Sequence, residues 1–128
     1  MRLSSRFTAF AIALTLLVPL VAPRADEARH PRLLRSTPAA DSRSAEHPRQ
    51  LTLTFNESPD LALTRITLTR GETTLRTAAL RHDAADAQTV VAGIVGELSP
   101  GRYTVRWQVT GEDGHPVRGS FGFDIVAP

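Results

Sequence analysis

Several segments of this chain alternate apolar and polar residues one by one, and that period of two leaves little besides a β-sheet protein. Leu51, Leu53 and Phe55 alternate with Thr52 and Thr54. Ile66 and Leu68 alternate with Arg65, Thr67 and Thr69 within a run from Ala62 to Thr69. Tyr103, Val105, Trp107 and Val109 share one face opposite Thr104, Arg106 and Gln108, and Phe121, Phe123 and Ile125 repeat the pattern near the C-terminus. Successive side chains of a strand point to opposite faces, so each run is a strand with one face to a core and one to water. Shorter runs at Leu33–Ser36, Thr73–Leu80 and Gln88–Val95 complete the set. No segment sustains a helical period. About seven short strands in roughly 100 residues, separated by turn signals such as Gly71-Glu72, predict an all-β domain: a Greek-key β-barrel or immunoglobulin-like sandwich. Leu98-Ser99-Pro100-Gly101-Arg102-Tyr103 fits a corner at which a tyrosine opens a strand and bonds back to the loop before it.

Charge divides the chain in two. All fifteen basic residues among the 128 are arginines, the formal net charge is +2, and the pI is near 10.3, which on its face suits nucleic acid. Arg2 and Arg6, however, belong to a basic start that runs into the apolar stretch Phe7–Val18, Pro19 and the small residues Ala22 and Ala25. That order describes a secretory signal peptide over residues 1–25, and the apolar run is too short for a membrane span. Cleavage after Ala25 leaves a domain of residues 26–128 with twelve arginines against thirteen carboxylates. No cationic excess remains to neutralise a phosphate backbone, which excludes nucleic-acid binding. Absence of cysteine excludes disulfides, thiolate clusters and a cysteine nucleophile. No Ser/His/Asp order, phosphate-cradling glycine loop or HExxH segment occurs, so the chain is not expected to be an enzyme.

The sharpest chemical feature is Gly111-Glu112-Asp113-Gly114-His115-Pro116, between two strong strands. Asp113-Gly114 suits a tight turn, and the reversal brings the Asp113 carboxylate and the His115 imidazole side by side. Such a pair suits Cu(II), Zn(II) or Ni(II), with Cu(II) bound tightest in a generic nitrogen and oxygen site. Two ligands do not make a site, and an ordinary turn with a solvated histidine satisfies the same spacing. Glu57, after the strand Leu51–Phe55, offers another oxygen donor, and Asn56-Glu57-Ser58 matches a glycosylation sequon. His47 and His82 read as surface loop residues. His30 precedes the first strand on a lead that is able to fold back over the barrel end.

The chain resembles the CopC-domain copper resistance proteins over about residues 30–126. His30-Pro31-Arg32-Leu33-Leu34-Arg35-Ser36-Thr37-Pro38-Ala39-Ala40-Asp41 matches the family's opening histidine, first strand and Ser/Thr-Pro-Ala turn. Leu51-Thr52-Leu53-Thr54-Phe55-Asn56-Glu57 matches a second strand that in the family ends Phe-Ser-Glu. Pro100-Gly101-Arg102-Tyr103-Thr104-Val105-Arg106-Trp107 and Asp113-Gly114-His115-Pro116-Val117-Arg118-Gly119 match the last two motifs, in the family's order.

The resemblance implies a periplasmic Cu(II)-binding protein of copper resistance or homeostasis that sequesters or delivers the ion. Its ligands would be His30, Asp113 and His115, with Glu57 as a peripheral acid. It also implies a membrane partner of the CopD type, here a separate polypeptide. In the family the histidine is the mature N-terminus and binds through its amine as well as its ring. Cleavage after Ala25 would leave His30 internal and reduce the set to side chains. The one methionine, Met1, leaves with the signal, which excludes a thioether Cu(I) site. The competing expectation is an extracytoplasmic immunoglobulin-like binding module without a functional copper site.

Overall fold

A computed structural model describes residues 30–128 of the chain, so the signal peptide expected over residues 1–25 and the residues that join it to His30 lie outside the described residues. Among the described residues, nine strands form two sheets. β1 (Leu33–Thr37), β3 (Gln50–Phe55), β7 (Thr89–Gly93) and β6 (Arg81–His82) make a four-stranded sheet in the order β1-β3-β7-β6. β2 (Arg43–Ser44), β9 (Pro116–Ile125), β8 (Gly101–Thr110), β4 (Arg65–Arg70) and β5 (Thr73–Leu75) make a five-stranded sheet in the order β2-β9-β8-β4-β5. Pairing is antiparallel except between β2 and β9, which run parallel. The result is the expected immunoglobulin-like sandwich.

The alternating residues meet between the sheets. Leu51, Leu53, Phe55, Val90 and Ala92 enter from one side, and Ile66, Leu68, Tyr103, Val105, Val109, Phe123 and Ile125 from the other, all buried. A fully buried aliphatic or aromatic side chain of this kind contributes about 1.5–3 kcal/mol relative to an exposed one. Trp107 packs against this core at an edge-on angle of 71° to Phe55, with ring centroids 5.3 Å apart. Across the β8–β9 ladder Trp107 faces Gly119, and a Cβ at Gly119 would collide with the indole. Any larger residue at 119 would therefore have to displace the tryptophan. The tyrosine corner forms as expected: the Tyr103 hydroxyl donates to the Ser99 carbonyl at 2.6 Å.

Strand boundaries depart from the sequence pattern in four places. β4 starts at Arg65 rather than Ala62, because Asp60 caps a 3-10 turn over Leu61–Leu63: its Oδ1 accepts from the Ala62 N–H at 2.9 Å and its carbonyl from the Thr64 hydroxyl at 2.7 Å. The run Thr73–Leu80 pairs with β4 only through Leu75. The chain then crosses to the other sheet, where Thr77 bridges Ile94. β2 and β6, two residues each, carry too few positions to show a period. β9 begins at Pro116, five residues before its first phenylalanine, and so runs directly out of the Asp113–His115 loop. Gly71-Glu72 is the expected two-residue hairpin turn, with Gly71 at φ 58°.

Candidate metal centre

β8 and β9 end as a pair at Thr110 and Pro116, leaving five residues to reverse the chain. Gly114 takes φ 81°, and its N–H donates to the Gly111 carbonyl at 2.9 Å while the Gly111 N–H donates to the His115 carbonyl at 3.2 Å. Within this frame Asp113 turns back on His115. Its Oδ1 accepts from the His115 backbone N–H at 3.0 Å, and its Oδ2 lies 3.0 Å from His115 Nδ1. The expected juxtaposition of carboxylate and imidazole is therefore a hydrogen-bonded pair on a closed turn.

His30 joins them from the other sheet. Its Nδ1 stands 3.5 Å from the same Asp113 Oδ2. Two imidazoles from opposite ends of the described chain thus face one carboxylate oxygen. The Asp113 side chain is one-quarter exposed, while those of His30 and His115 are 54% and 77% exposed, so the cluster opens to solvent through its imidazoles. Glu57, just past the end of β3, completes the surroundings. Burial pushes its carboxyl above the ordinary value, Glu112 and Asp113 add to that, and His30 opposes it. Asp113 goes the other way. The hydrogen bond from the His115 ring, then that from the His115 backbone, holds its carboxyl below the ordinary range.

The donors fit a borderline divalent ion in kind: two nitrogens, a carboxylate kept ionised, and a second carboxyl nearby. In arrangement they touch one another directly. Among the described residues no three such groups already surround a common point, so an ion would replace the contacts to Asp113 Oδ2 rather than enter a finished cage.

The other two histidines lie elsewhere. His47, in the expected loop, has its Nδ1 2.6 Å from the Leu98 carbonyl. His82 is not a loop residue: it lies in β6 and pairs with Val90 of β7, and its buried Nδ1 has no hydrogen-bond partner among the described residues. The residue that sequence reading missed is Asn56. Its amide bonds the backbone on both sides of Pro31, with Oδ1 accepting from the Arg32 N–H at 2.7 Å and Nδ2 donating to the His30 carbonyl at 3.2 Å. Read as part of a sequon, it gave no sign of this, because the partner residues lie 24 and 26 positions away.

An immunoglobulin-like sandwich with a histidine and carboxylate cluster at one end of its long hairpin is a narrow class, and the chain belongs to the CopC-domain family, whose model matches residues 33–126. It is 30% identical over 102 residues to "Copper resistance protein C" of Xanthomonas campestris pv. juglandis, covering 75% of this chain and 80% of that protein. It is 29% identical over 98 residues to "Protein YobA" of Escherichia coli K12, covering 75% and 78% of the two. Among solved structures it superposes on PcoC, a methionine-rich copper resistance protein from Escherichia coli, with a TM-score of 0.67 and 28% identity over 74% of this chain and 97% of that one. CopC from Methylosinus trichosporium OB3b gives a TM-score of 0.68 and 25% identity, over 77% and 95%. Domains of the S-layer protein SbsC, 17% identical with a TM-score of 0.57, share the fold alone.

Proposed function

We propose that this protein binds Cu(II) as cargo through His30, Asp113 and His115, with Glu57 as a peripheral acid, and serves copper resistance by sequestering or delivering the ion. The observation that carries this reading is the approach of both imidazole Nδ1 atoms to one oxygen of Asp113. Nitrogen and oxygen donors suit the tetragonal preference of Cu(II). The hydrogen bonds from His115 keep Asp113 ionised, so the carboxylate need not shed a proton before it coordinates. The imidazoles must be neutral to donate, so acid releases the metal. With its one methionine in the signal segment and no cysteine, the exported chain has no soft donor for Cu(I). The copper resistance proteins among its relatives support the same reading.

Export by a signal over residues 1–25 would place the domain in the periplasm, beside a membrane partner of the CopD type. The role is binding and transfer rather than catalysis. Titration of the exported protein with Cu(II), followed by EPR, is the test. One equivalent should bind with nitrogen hyperfine coupling from imidazole, and His115→Ala should abolish it. Unchanged binding in His115→Ala would refute the site, and no stoichiometric uptake at all would favour an immunoglobulin-like binding module without copper.

A further inference from the structure

We propose that Asn56 is the positioning residue that holds His30 at the metal centre, an inference whose copper readout rests on the reading above. The ladder between β1 and β3 ends at Leu33 and Phe55, three residues short of His30. Pro31 has no N–H to continue it. Asn56 supplies the continuation alone. Its backbone N–H donates to the Arg32 carbonyl at 3.1 Å, its Oδ1 takes the Arg32 N–H, and its Nδ2 reaches over Pro31 to the His30 carbonyl. The side-chain amide thus acts as a surrogate peptide group, offering one acceptor and one donor where a strand would offer a C=O and an N–H.

Both backbone bonding groups of Arg32 are answered by this one residue, and Pro31 is buried beneath the bracket. Among the described residues no other hydrogen bond to the His30 backbone is found, so the placement of the ring 3.5 Å from Asp113 depends on Asn56. The side chains nearest to asparagine in size and chemistry do not match both bonds at this reach. Aspartate lacks the donor, serine is too short to span Pro31, and the extra methylene of glutamine moves both groups out of line. Asn56 is itself held from behind, its carbonyl accepting from Gln88 Nε2 at 3.3 Å. It touches no ligand atom, and its effect on the metal passes entirely through where it puts His30.

Cu(II) affinity of the exported protein, measured by competition with a chromophoric chelator, gives the first arm. Loss of a partner that orients a ligand typically costs about 10–100-fold in metal affinity. Asn56→Ala should show a loss in that range and a drop of one in the imidazole nitrogens coupled to copper by EPR, while His115 stays bound. In a His30→Ala background the same substitution should change affinity by less than about twofold, because two changes acting through one residue do not add. Asn56→Ser, which keeps a small polar side chain, should fold wherever Asn56→Ala does not and show the same loss of one nitrogen.

The second arm needs no metal. The NMR shifts of the His30 ring should respond to Asp113→Asn in the wild-type background and not in Asn56→Ala. Equal losses of affinity with and without His30, or a His30 ring that still senses Asp113 after Asn56→Ala, would overturn the assignment. If the wild type takes up no copper, the copper reading falls, and the metal-free arm alone decides the role of Asn56.

Discussion

Replacing Gly119 by alanine is the most demanding test of how the hairpin that carries the Asp113–His115 loop is built. A Cβ at position 119 would lie 2.5 Å from Cε2 and 2.9 Å from Nε1 of Trp107, where ordinary contact needs 3.4–4 Å. The indole must therefore recede by about 1 Å, and its edge contact with Phe55 limits how it can do so. Overpacking of a well-filled core costs about 1–3 kcal/mol, and disturbing an aromatic pair puts at risk about 0.5–1.5 kcal/mol more. Against this stands a gain of roughly 0.5–1 kcal/mol from removing glycine from a strand interior. The net expectation is a destabilisation of about 1–3 kcal/mol. At about 4–8 °C per kcal/mol for a domain near 100 residues, that is a melting temperature lower by roughly 5–20 °C. Trp107 is the sole tryptophan, so its emission should shift to the red in the folded variant. The decisive comparison is the double-mutant cycle with Trp107→Ala, followed by far-UV circular dichroism in urea. With the indole gone the methyl has room, and Gly119→Ala should become neutral or stabilising. A cost of the same size in both backgrounds would refute the steric account.

Three further outcomes follow from the same contacts. Tyr103→Phe removes the corner hydrogen bond to Ser99 and should lower stability by about 0.5–1.5 kcal/mol in chemical denaturation, with the fold intact by circular dichroism. Asp86 has its carboxyl held below the ordinary value, first by the Thr89 hydroxyl and then by the Gln88 N–H. A depressed carboxyl stabilises the fold above its unfolded pKa of about 3.9 and loses that contribution as pH falls through the folded value. Asp86→Asn should therefore cost stability at pH 7 and progressively less towards pH 2, and urea midpoints across that range would show the two curves converging. Asp113→Asn takes the shared oxygen's charge away from both imidazoles. Its loss of Cu(II) affinity by chelator competition should exceed the about 10–100-fold typical of an outer partner.

The core was legible because the residues that build it state their period plainly. Tyr103, Val105, Trp107 and Val109 alternate over a full strand, and all four face the core. The pairing of Asp113 with His115 was legible for a related reason: they are two residues apart, and Gly114 permits the turn that joins them. Most of what escaped was set by partners distant in sequence. Asn56 acquires its role only when β3 lies beside the chain entering β1, and nothing about an asparagine after Phe55 encodes a bond to His30. His82 looked like a loop residue because β6 is held by β7 rather than by any pattern of its own. Asp60 diverted the start of β4 through a cap, a local signal outweighed by the alternation that follows it.

The parallel contact of β2 with the end of β9 has a practical side. β9 is flanked by β8 throughout and by β2 at its far end, where Arg43 and Ser44 pair with Asp124 and Ile125. Ten residues at about 3.4 Å each carry the strand roughly 30 Å from the loop of Asp113 and His115. Whatever is joined after Ile125 thus emerges at the pole opposite the cluster, from a strand gripped on both sides. Whatever is joined before His30 emerges beside Asp113 itself. A tether, reporter or immobilising tag at the C-terminal pole leaves the Asp113 cluster facing solution, whereas the same attachment at the other pole occupies the approach to it.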